Sequence, residues 1–188
     1  MKYRLVAAAL IAQPAMAVAH GIHTEGFTAG FSHPFSGLDH LLTMVLIGVF
    51  AVVLGRRMIW ALPLAFVVAM ATGLLLARSG QTLSWLEIAV MVSPVGLGLA
   101  LLGHRNMPRI GAVALVAVLG FCHGHVHGTE LGGSAILLST AAGVLSGTAV
   151  LHALGLFSVK TIRQDVRERA AKVAGIAASL AGIALLFT

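Results

Sequence analysis

The sequence predicts an all-α fold: a polytopic membrane protein built as a six-helix transmembrane bundle behind an N-terminal signal peptide. Three features carry that prediction. Hydrophobic residues fill 59% of the 188 positions and charged residues 10%, with a mean hydropathy of +0.99, whereas about a quarter of a soluble domain is charged. Six apolar runs each approach the roughly 20 residues that a helix needs to cross a bilayer. Lys and Arg gather in the short gaps between those runs, as topology signals do, and no aromatic residues interleave with them as in a nucleic-acid surface.

In chain order, Met1 to Ala19 combines a basic start (Lys2, Arg4), an apolar run from Leu5 to Ala12 that is too short to span, and small residues at Ala15-Met16-Ala17 and Ala17-Val18-Ala19. This is the pattern of a cleaved leader, residues 1–19. Cleavage after Ala19, the preferred cut, makes His20 the first residue; cleavage after Ala17 leaves Val18-Ala19-His20, whose amine and third-position imidazole can hold Ni(II) or Cu(II) in a plane. Residues 20–33 then form a periplasmic segment, in which His20, His23 and Glu25 either collect metal or sit in solvent.

The transmembrane domain, 34–188, follows with runs at Pro34 to Leu54, Met58 to Ala77, Leu83 to Leu102, Ile110 to Thr129, Ser134 to Phe157 and Val173 to Phe187. The last run is short, so its helix is expected to begin earlier, within the basic stretch. With an external amino terminus the inner side holds Arg56, Arg57, Arg105, Arg109, Lys160, Arg163, Arg167, Arg169 and Lys172, and the outer side holds only Arg78. That asymmetry predicts a multi-pass protein of a bacterial inner membrane with both mature termini periplasmic.

Against this background, two polar clusters stand out. In FCHGHVHGTELGG, His123 and His127 are one helical turn apart and Glu130 returns to the same side two turns on, so one face carries N, N and O donors. His125 is rotated about 200° from His123 and points elsewhere. Gly120, Gly124, Gly128 and Gly132 make a small-residue ridge beside the donors, where another helix can approach closely. In HPFSGLDH, Pro34 suits the first helical position, and His33 and His40 share a face with Asp39 about 100° round. Both clusters fall at external helix ends, so they can meet. Ionisable groups are costly in lipid and mark an ion or substrate path. Imidazole with carboxylate suits Ni, Co, Zn, Cu or Fe and argues against Ca or Mg, and a chain with the single Cys122 has no disulfide or soft thiolate set.

These motifs resemble the HupE/UreJ membrane proteins, associated with nickel supply for hydrogenase and urease. The resemblance rests on HPFSGLDH followed by LLTMVLIG, on HGHVHGTE, and on a leader plus six spans, and it covers essentially the whole chain. It implies a secondary Ni(II) or Co(II) permease, not an enzyme, with no prosthetic group and the ion as transported substrate. His33, Asp39, His40, His123, His127 and Glu130 are the implied metal-handling residues. An acid that the family carries in this region adds Glu87 as a lesser candidate, alongside a role as partner of Arg78 or Trp85.

The competing class is a membrane metalloenzyme or metal-holding accessory protein with a fixed His/carboxylate site. HGHVH lacks the glutamate of an HExxH protease helix. No GxxxxGK[ST] loop is present, so the chain carries no ATP site of that type. The remaining polar and soft residues read structurally. His104 is expected in solvent, His152 in packing or a hydrogen bond rather than as an exit-side ligand, and Cys122 as a small buried residue. Met44, Met58, Met70 and Met91 read as core filler, and Ser139, Gly143 and Gly147 as helix packing.

Overall fold

A computed structural model of the protein describes residues 26–80, 83–130 and 137–187. The expected leader, with His20, His23 and Glu25, lies outside the described residues, as does Gly132. Eight α-helices and no strand are found among the described residues. They are α1 (Phe27–Ser32), α2 (Leu38–Val53), α3 (Met58–Ala77), α4 (Trp85–Met91), α5 (Ser93–Leu102), α6 (Arg109–Glu130), α7 (Leu137–Lys160) and α8 (Gln164–Leu185). Single 3-10 turns at His33–Phe35 and His104–Asn106 join α1 to α2 and α5 to α6.

Three helices, α3, α6 and α7, are by themselves long and apolar enough to cross a membrane. Two bent pairs bring the number to five if each counts as one span: α1 and its 3-10 turn with α2, bent by 82°, and α4 with α5, bent by 45°. The sixth run lies in α8, which begins at Gln164 within the basic stretch, as its short apolar run implied. Its charged first turns leave α8 below the same measure.

Both bends have local causes. Gly37 is extended (φ −103°, ψ 133°) and separates the 3-10 turn from α2. At the other bend, Pro94 has no N–H to return to the Val90 carbonyl; the Ser93 hydroxyl donates to that oxygen instead, at 2.6 Å. Ser93 has one proton to give, so Thr43 must be the donor in its 2.6 Å hydrogen bond to Ser93 Oγ. The bend between α4 and α5 is thereby fastened to α2.

Hydrophobicity does not separate helix from lipid, so association rests on close packing. α3 lies along α6, α2 along α7 and α5 along α8. On α6, a Cβ at Gly120 would stand 2.5 Å from the Phe66 carbonyl oxygen, and one at Gly124 would collide with the Met70 carbonyl, so the predicted ridge is where α3 rests. Gly143 and Gly147 do the same for the backbone of α1, around Phe27 and Phe31. The sequence reading gave no helix before Pro34; α1 exists because this small-residue face of α7 accepts it. Met44, Met58 and Met70 are core residues as expected, and Cys122 is buried against Leu86, Val90 and Val126. At the end carrying the loop arginines, Arg105 pairs with Glu168 and ties the turn after α5 to the first turns of α8. The expected solvation of His104 is corrected: it is buried, and its Nδ1–H donates to the Leu101 carbonyl at 2.8 Å.

Candidate metal centre

His33 and His40 were expected on one face of a continuous helix. Gly37 breaks that helix, yet the fold-back at the break still brings the two rings to 5.8 Å between centroids. Both reach His127 near the end of α6, with centroids 4.6 Å from His33 and 4.8 Å from His40. One donor nitrogen from each of His33, His40 and His127 lies within 4.8 Å of the others. Donors that share one first-row ion at bond lengths of about 2.1 Å stand roughly 3 to 4 Å apart. Small ring rotations would close this triad on an ion.

The hydrogen bonds dictate which lone pairs are available. A carboxylate only accepts, so His40 Nδ1–H donates to Asp39 Oδ1 at 2.9 Å and the lone pair stays on Nε2. His123 Nδ1–H likewise donates to the Leu119 carbonyl at 2.8 Å, one turn back on α6. The Nε2 atoms of His40 and His123 are buried and have no hydrogen-bond partner among the described residues. His33 Nε2 and His127 Nδ1 stand 3.1 Å apart with one proton between them; an ion in place of that proton would meet both lone pairs. A ligating imidazole whose other nitrogen is held by a carboxylate or carbonyl is the usual arrangement around a transition metal.

The sequence profile described as HupE / UreJ protein matches residues 6–185. The chain belongs to the HupE/UreJ family. It is 40% identical to Protein HupE of Rhizobium leguminosarum bv. viciae over 189 residues, 99% of each chain. No solved structure matches it.

The residues of the two HupE/UreJ motifs divide by position. His33, His40 and His127 form the triad, and Asp39 orients His40 from outside it. His123 lies one step deeper, its ring 5.1 Å from that of His40. Glu130 is the last residue of α6, and its side chain lies outside the described part of the structure. Glu87 is exposed on α4 and is not among the three donors of the triad. His125 is buried with its ring 6.2 Å from Phe121, apart from the triad as its rotation implied. Sequence reasoning missed two contributors. Thr43, three residues beyond His40, carries the Ser93 contact, which a hydroxyl on the His40 face of α2 could have suggested. Phe66 packs its ring 5.5 Å from that of His123, and nothing in its apolar run distinguished it.

Proposed function

We propose that this chain is a secondary transporter carrying Ni(II), with Co(II) as an alternative substrate, from the periplasm to the cytoplasm and supplying enzymes such as hydrogenase or urease. It would cross the inner membrane on six spans, counting each bent pair as one and α8 as the sixth. The observation that carries this reading is the triad: three imidazole donors from two helix ends, within bonding reach of one ion, in a bundle otherwise almost free of charge. A dication cannot enter hydrocarbon without ligands to replace its water. Neutral imidazoles supply directional bonds, and Asp39 with Glu130 would balance charge. Membership of the HupE/UreJ family supports the class of protein, and imidazole with carboxylate supports Ni or Co without excluding Zn or Cu.

The decisive measurement is uptake of radioactive nickel into proteoliposomes, with cobalt, zinc and copper as competitors, for the wild type and His40→Ala. Saturable uptake that cobalt depresses most, and that His40→Ala loses, is the expected result. A stoichiometric, chelator-resistant metal in purified protein with no uptake would favour a fixed metal site instead.

A further inference from the structure

His152 is buried on α7, and neither of its ring nitrogens has a hydrogen-bond partner among the described residues. The sequence reading gave it packing or a hydrogen bond; the second is absent. Buried polar atoms in proteins are nearly always satisfied, so an imidazole with both nitrogens bare calls for a ligand.

Its surroundings suggest which one. The ring packs nearly perpendicular to Phe66 at 5.1 Å between centroids, and Phe66 also contacts His123, at 5.5 Å. Phe66 thus touches two buried imidazoles. One turn away along both helices, Thr148 donates a hydrogen bond to Met70 Sδ at 3.8 Å. Thr148 and His152 are four apart on α7, and Phe66 and Met70 four apart on α3, so the four side chains form two facing rungs. All four are buried. They offer imidazole nitrogen, hydroxyl oxygen and thioether sulfur.

Depth along the helices sets the order. At 1.5 Å per residue, His123 lies roughly 21 Å from the Arg109 end of α6, and His152 lies roughly 12 Å from the Lys160 end of α7. These ends are on the same side of the bundle, the side of the loop arginines. His152 is therefore deeper than His123. An open, apolar groove of about 350 Å³ between α3 and α7, walled by Pro63 and by the exposed Trp60, Leu64 and Phe157, also touches His152. Pro63 has no N–H to give to the Ile59 carbonyl, so that oxygen loses its intrahelical bond beside the same groove.

We propose that His152, with Thr148 and Met70 beside it, is a second, inner station for the transported divalent ion, and that the ring of Phe66 partitions it from the outer imidazoles. The station rests on the reading of the outer cluster as a metal donor set. The ion would leave His123, pass the Phe66 ring and bind the bare nitrogen of His152, with the Thr148 hydroxyl and the Met70 thioether one turn away.

The test uses full-length, tag-free protein loaded with Co(II). A cysteine in place of the imidazole, His152→Cys, should give an intense thiolate-to-cobalt charge-transfer band that the wild type lacks, since Cys122 sits in a separate apolar cluster. The band should persist when His40→Ala and His127→Ala are added. His152→Ala should lower nickel uptake into proteoliposomes by about tenfold or more, with Co(II) binding at the outer site retained. A folded His152→Cys protein without the band overturns the station, as does wild-type uptake by His152→Ala. The outer reading fails separately, if His40→Ala transports like the wild type while the His152→Cys band is still present.

Discussion

Asp39 does not need to touch the ion to matter. By accepting from His40 Nδ1–H it fixes the ring's tautomer and aims the Nε2 lone pair, and losing such a partner typically lowers metal affinity or activity ten- to a hundredfold. Nickel uptake should therefore fall in the order Asp39→Asn, Asp39→Ala, His40→Ala, because an asparagine oxygen still accepts the Nδ1 proton and an alanine does not. Equal loss in all three would mean that Asp39 itself ligates. Acid gives a second test at this scale. Protons compete with the ion for imidazole lone pairs, so uptake should decline as the outer medium is taken from neutral to about pH 5. Glu168 cannot be the source of that decline. Arg105 first, and Gln164 beside it, hold its carboxyl below the usual range, so the pair is fully formed above the ordinary carboxylate pKa and is lost only as pH falls through the lowered one. Glu168→Gln should accordingly keep the same pH profile of uptake.

Among the elements, α3 and α6 were legible almost to the residue, because each long apolar run starts right after an arginine, Arg57 or Arg109, and ends where polar residues resume. The two bends were not legible. Pro34 promised a helix start, but the break came at Gly37, and HPFSGLDH reads equally well as a straight helix. Ser93-Pro94 sits inside an apolar run whose composition alone reads as one span. The His33–His40 pairing was thus correct in outcome and wrong in route, since a fold-back and not a shared helical face brings the rings together. Glycine packing was visible as spacing, but its partner helix was not. A side chain at Gly124 must push α3 away from α6, and such overpacking costs about 1–3 kcal/mol. Gly124→Val should lower the unfolding midpoint in detergent and weaken uptake. Gly96→Ala on α5, where no atom lies within 4 Å of the new methyl, should leave both unchanged or gain slightly in helix propensity.

On the scale of the whole molecule, charge placement couples orientation to driving force. The arginine-rich loops occupy one end of the bundle and the imidazole triad the other, and the Arg105–Glu168 pair joins two of the arginine-bearing segments directly. In the proposed orientation, with the triad toward the periplasm, a bound ion would begin its passage on the positive side of an energised membrane. An inside-negative potential is worth about 2.3 kcal/mol per charge per 100 mV, so a dication gains about twice that and can accumulate on the order of a thousandfold without ATP. Proteoliposomes in which an ionophore sets a potassium diffusion potential make this measurable. Internal nickel at steady state should rise by about three decades per 100 mV for an ion that moves uncompensated. If each ion is exchanged for two protons, the cycle carries no net charge and the same potential changes nothing, whereas an imposed pH gradient drives accumulation instead. Accumulation that responds to neither, at a triad that still binds nickel, would leave a membrane-embedded metal holder and remove the transporter.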